Sequence, residues 1–142
     1  MKLQKIQSTS FFLLLCLTIF SSFTLAQTLD ELLKQGDEYM DVEFNLDKAT
    51  DTYQKADKLY PNNWEVYWRL SRTYVYAAEQ MPDKTGEQKD SQLVVYQTAY
   101  DIADKAVKLA PDKSITYLRR AIANGKIALF KGVFSVASVV NA

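Results

Sequence analysis

Two segments fifty positions apart carry the same spacing of small residues and stop on the same residue type. Ala49-x3-Tyr53-x2-Ala56-x4-Pro61 and Ala99-x3-Ala103-x2-Ala106-x4-Pro111 share one spacing, with Tyr53 standing where the second has Ala103. Small residues at i, i+4 and i+7 lie on one face of an α-helix and let a partner helix approach closely. Proline lacks the amide donor and its ring meets the preceding turn, so each segment ends there. One device used twice implies a helical repeat. Such units cannot bury their apolar faces alone and must stack. The fold class expected is therefore all-α, an antiparallel helix-hairpin solenoid.

Of the 142 residues, the first 26 read as a secretory signal. Lys2 and Lys5 supply a positive start, and Phe11 to Phe20 is apolar apart from Cys16 and Thr18. Thr24-Leu25-Ala26 offers small residues around a cut before Gln27. The apolar run with its tail is shorter than the roughly 20 residues a bilayer crossing needs. The expectation is an exported protein, periplasmic or secreted, with an inner-membrane anchor by an uncleaved signal as the alternative. The large Leu15 before Cys16 argues against a lipoprotein signal.

Removing that signal changes 17 basic against 17 acidic residues to 15 against 17, because Lys2 and Lys5 leave and no acid does. A chain this close to neutral has no electrostatic footprint for nucleic acid or for an anionic lipid surface. The only cysteine leaves with the signal, and the chain has no histidine. A disulfide, a thiolate nucleophile, a histidine base and the usual zinc site are all excluded from residues 27–142. No enzyme activity, metal or cofactor is expected.

Thr28-Leu29-Asp30-Glu31 is a capping box. Leu29, Leu32, Leu33, Gly36 and Met40 then follow at helical spacing, predicting a first helix to about Asp41. A second begins after Asn45, with Leu46, Ala49, Tyr53, Ala56 and Leu59 on one face, and Pro61 ends it. Asn62-Asn63 offers the next cap, and Trp64 to about Gln80 carries Tyr67, Leu70, Tyr74 and Ala78 inward. After the turn cluster Met81 to Gly86, a long helix runs from about Glu87 to Ala110 with Leu93, Tyr96, Ala99, Ala103, Ala106 and Ala110 as its stripe.

Asp112 to Ser114 caps a fifth helix from Ile115 to about Phe130, with Tyr117, Leu118, Ala121 and Ile122 inward. Lys131-Gly132 reads as a turn and Val133 to Ala142 as the start of a sixth helix. The expected organisation is a signal over 1–26 and a repeat domain over 27–142, two hairpins plus an incomplete third. Val133, Phe134, Val136, Val139 and Val140 have almost no polar face. Leaving all five wet would forfeit about 7–15 kcal/mol, at roughly 1.5–3 kcal/mol each. Solenoids normally close on a polar helix, so a chain truncated at its C-terminus, or a tail that packs into a partner, is expected.

These residues resemble the tetratricopeptide repeat, in which a small residue and a tyrosine three later mark helix A and Ala-x3-aromatic-x2-Ala-x4-Pro marks helix B. Gly36, Tyr39, Ala49, Tyr53, Ala56 and Pro61 supply the first copy, with one extra residue between the helices. Ser71, Tyr74, Ala99, Ala103, Ala106 and Pro111 supply the second, with an insertion; Ala121 alone marks a third. The run Trp68-Arg69-Leu70-Ser71-Arg72-Thr73-Tyr74, the lengthened fourth helix and Tyr117-Leu118-Arg119-Arg120-Ala121 are similar to the regulator of microtubule dynamics family, here in a bacterial-type, exported form. That resemblance spans about Leu32 to Phe134. It implies a variant helical-repeat fold, and the better-known eukaryotic members associate with microtubules and mitochondria.

In such repeats the inner groove is lined mainly by helix A, at positions off the packing stripe. Mapped here, the candidates are Asp37, Asp41, Glu65, Trp68, Arg72, Tyr76 and Lys126, with Arg69, Arg119 and Arg120 near the edge. Trp68 and Arg72 are i, i+4 neighbours, so the guanidinium can lie over the indole. Together they suit an acidic side chain or a carboxylate; the competing reading makes Trp68 core and pairs Arg72 with Glu65 or an acid of the first helix. Asp37 has the wrong sign for the carboxylate clamp of the co-chaperone branch. Asp101, Asp104 and Lys105 are expected to be solvated. The function expected is a non-catalytic scaffold or adaptor of the cell envelope holding a protein or peptide. The alternative is a structural or oligomerising module using its apolar tail.

Overall fold

The computed structural model describes residues 27–140, with side chains up to residue 132. Five helices follow one another: α1 (Leu29–Asp41), α2 (Leu46–Leu59), α3 (Trp64–Gln80), α4 (Gly86–Leu109) and α5 (Ser114–Val140), with no strand among the described residues. The two matching stripes fall on α2 and α4, and their prolines lie just past each helix end. The proposed signal peptide lies outside the described residues.

The caps follow from the sequence. Thr28 accepts from the Glu31 amide while the Glu31 side chain accepts from the Thr28 amide, a reciprocal capping box. Thr85 and Gln88 do the same at the start of α4. Asn45 and Asn63 cap α2 and α3. The extra residue between α1 and α2 is absorbed by Phe44, which sits in the left-handed region at φ 52° and is 80% exposed.

Successive helices pack as antiparallel neighbours, and α3 is shared by two cores. Its first half, through Val66 and Leu70, closes over Leu32, Leu33, Met40, Ala49, Tyr53 and Ala56 of the first hairpin. Its second half, through Val75 and Ala78, packs with Tyr96 and Ala99 of α4 and with Ala123 and Ile127 of α5. In addition α1 touches α3 and α3 touches α5, whereas the backbones of α2 and α4 make no comparably close approach. The stack therefore bends with α1, α3 and α5 along its inner side. The closest approach is at Gly36, where a Cβ would lie 2.3 Å from the Tyr53 ring.

Two expectations need correction. The chain does not turn at Lys131-Gly132; α5 runs through it as one helix of 27 residues. The incomplete third unit is thus a single long helix, with no sixth helix begun at Val133. A lone glycine costs a helix only about 1 kcal/mol relative to alanine and is no break by itself. The buried face of α5 is also displaced from the expected one. Tyr117 and Leu118 are 43% and 52% exposed and Ala121 is exposed, while Thr116, Ala123 and Ile127 are buried. Thr116 can occupy an interior position because its hydroxyl donates to the Lys113 carbonyl at 2.8 Å. The side chains of the apolar tail lie outside the described residues.

Candidate partner-binding groove

The inner face begins on α1, where Asp37 and Asp41 are one turn apart. On α3, Glu65, Trp68, Arg69, Arg72, Tyr76 and Glu79 recur at three- and four-residue spacing and so share a side. On α5, Arg119 and Lys126 are two turns apart. All ten candidate residues, Arg120 on α5 included, thus fall on the three helices that line the inner side of the bend.

Asp37 is the anchor. The Arg69 Nε and Nη2 groups donate to its two oxygens at 3.0 and 2.9 Å, and the Tyr53 hydroxyl donates to Oδ1 at 2.6 Å. One carboxylate thereby ties together α1, α2 and α3. Burial alone would raise the Asp37 pKa, but the bonds from Arg69 and Tyr53 and the charges of Arg69 and Arg72 outweigh it. The carboxyl is held below its ordinary value. Burial first, and Asp37 second, push the Tyr53 phenol well above the usual range.

Arg72 pairs with Asp41 at 3.2 Å and lies 3.8 Å from Asp37, so it meets the acids of the first helix, as the competing reading had it. Glu65 goes to Arg69 instead, at 3.5 Å. Trp68 is half-buried, and the guanidinium closest to its ring is that of Arg69, 4.3 Å from the centroid. Arg119 and Arg72 follow at 5.6 and 5.8 Å. Three cations therefore surround one indole, each attracted by the negative face of the ring.

The Arg119-Arg120 pair does not form one solvated patch. Arg120 turns to α4 and bonds Asp104 at 2.9 Å. Asp104 also takes Lys108 at 2.8 Å, so it fastens α5 to α4 instead of facing solvent alone. Arg119 points to the groove and makes no ion pair among the described residues; its Nε is buried without a hydrogen-bond partner. Burial, then the neighbouring Arg72, lower its pKa. Lys126 pairs with Glu79 at 2.5 Å, and that bond raises its pKa.

Tyr76, 45% exposed, divides two hollows. One, of about 190 Å³, is walled by Met40, Asp41, Phe44, Leu46, Tyr76 and Gln80. The other, of about 90 Å³, lies between α3 and α5 against Arg72, Tyr76, Glu79 and Arg119. Sequence reasoning missed Glu79 and Phe44. Glu79 lies seven residues after Arg72, and extending the groove stripe one more turn would have found it. Nothing in the sequence marks Phe44 beyond the extra linker residue.

Among the described residues no cluster of acidic, histidine or cysteine side chains could hold a metal ion, and no helix is long and apolar enough to cross a membrane. The family model described as regulator of microtubule dynamics protein 1-3 matches residues 26–135, most of the chain. A comparison with curated proteins returns no match.

Proposed function

The chain belongs to the regulator of microtubule dynamics family, and from that premise we propose that it is a non-catalytic interaction domain holding a partner protein or peptide on its α1–α3–α5 face. Its helix pairs are read as tetratricopeptide-type repeats, and residues 1–26 as a signal that exports it to the cell envelope. There it serves as a scaffold or adaptor. The observation that carries this reading is Trp68, half-buried among three guanidinium groups beside an exposed tyrosine that walls two open hollows. Trp, Tyr and Arg in a concave setting are the side chains on which binding energy concentrates.

A photo-crosslinking residue placed at Tyr76 tests it, with the same residue at Asp101 on the exposed side of α4 as control. A discrete adduct from position 76 and none from 101 is the expected result. Equal labelling at both positions would remove the groove from the account. Tyr76→Ala, at an exposed position, should then weaken binding of the captured partner about tenfold, the loss typical of a contact worth a little over 1 kcal/mol.

Exposed Leu118 and Leu129, 52% and 68% accessible on α5, favour a second reading in which this helix joins copies of the chain. Light scattering decides that question directly, because a stable monomer contradicts it.

A further inference from the structure

Charge on the inner face is matched almost throughout. Arg69 has Asp37, Arg72 has Asp41, and Lys126 has Glu79. Arg119 is the exception: half-buried, beside Arg72, with no ion pair among the described residues and a buried Nε that donates to nothing. The Arg72 Nε is in the same state, inside a side chain only 12% exposed. Taking a guanidinium out of water costs free energy unless an acceptor replaces the lost hydration. The Trp68 ring attracts Arg119 but accepts no conventional hydrogen bond and carries no net charge.

We propose that the groove recognises a carboxylate attached to an apolar residue, with the carboxylate on Arg119 beside Arg72 and the apolar group across Tyr76. The proposal rests on the groove reading above and names the chemistry of its occupant. The hollow against Arg72 and Arg119 is of about 90 Å³, and the one on the far side of Tyr76 has Met40, Phe44 and Leu46 in its wall. One ring separates the two, so both groups fit on adjacent parts of a peptide. A carboxylate matches the planar donor fork of a guanidinium. A monoanion also matches Arg119, the inner-face cation left without an ion pair among the described residues. A phosphate dianion would bring a second negative charge toward Asp41 and Glu79, which already line these hollows.

The carboxylate could be a peptide C-terminus or an acidic side chain, and small probes separate these sources. The Arg119 Nε–Hε resonance, identified by its loss in Arg119→Gln, is followed in the 15N-labelled protein. The probes are N-acetyl-leucine, N-acetyl-leucyl-glutamyl amide, neutral N-acetyl-leucinamide and inorganic phosphate. A saturable shift with one or both carboxylate probes and none with the neutral amide is expected. The tighter of the two carboxylates identifies the source. Arg119→Gln should weaken the probe's effect on the Tyr76 ring signals about tenfold, the loss of a charge-assisted pair, whereas Lys105→Gln leaves it unchanged. An Arg119 resonance that moves no further with N-acetyl-leucine than with sodium chloride of equal ionic strength overturns the proposal. So does phosphate saturating at a lower concentration than either carboxylate. A partner captured at Tyr76 while Arg119 ignores carboxylates sinks this inference alone and leaves the groove reading standing.

Discussion

Truncating Tyr53 to alanine is expected to cost about 3–5 kcal/mol of folding stability, the usual penalty for emptying a buried aromatic site. The ring is wholly inaccessible and belongs to the core formed by α1, α2 and the first half of α3. Its hydroxyl also leaves Asp37 with one donor fewer. A companion substitution shows what that ring does to its neighbour. Gly36→Ala places a methyl 2.3 Å from the ring, and buried Tyr53, held at its hydroxyl, has little room to retreat. Overpacking of this depth costs about 3 kcal/mol, against about 1 kcal/mol gained by alanine over glycine in a helix. A net loss of about 2 kcal/mol follows from those two effects. In the Tyr53→Ala background the same methyl enters vacated space, and the substitution should become neutral or favourable. Denaturant melts of the four proteins form the cycle. Equal costs of Gly36→Ala in both backgrounds would mean that ring contact is not why a glycine stands there.

Arg69→Met should lower stability by about 1–3 kcal/mol at neutral pH, because it strips Asp37 of two charge-assisted bonds. The value stays below that of a fully buried pair, since Asp37 is one-third exposed and keeps Tyr53 and Arg72 nearby. The same carboxylate gives a pH signature. Its folded pKa is depressed below 3.8, so its contribution is fully present well above that pH. It is lost as pH falls through 3.8 toward the folded value, where the native state must also take up the proton. Urea midpoints between pH 7 and pH 3 should therefore drop steeply in the wild type. Asp37→Asn and Arg69→Met should flatten that limb. An unchanged acid limb in Asp37→Asn would assign acid sensitivity to other carboxylates.

The helices of the two hairpins were legible because their signals are local: capping boxes, asparagine caps, a small-residue stripe and a terminal proline all act within a few residues. The groove candidates were legible as a set, since the repeat resemblance puts the groove on the first helix of each pair and periodicity then places Asp37, Trp68, Arg72 and Tyr76 off the packing stripe. Their partners were not. The choice of Arg69 over Arg72 for Asp37, and of Asp104 for Arg120, depends on helix rotation, and one residue of error there exchanges neighbours. The last helix shows this plainly. Reading Tyr117, Leu118 and Ala121 as inward ranks hydrophobicity above geometry, whereas α5 turns Thr116, Ala123 and Ile127 to the core and gives Arg119 and Arg120 separate tasks. Lys131-Gly132 misled for a related reason, because a glycine is only a weak punctuation mark when the residues on both sides favour continuing.

Tyr74 packs against both cores, and its hydroxyl accepts a bond from Gln54 of α2 at 3.0 Å. Ile102 of α4 reaches into the first core in the same manner. Neighbours in a linear array stabilise one another only through what they have in common. Here that common part is the length of α3 together with these two side chains. Loosening either half removes support from the other, so the array is expected to melt in one cooperative step and not to peel apart unit by unit.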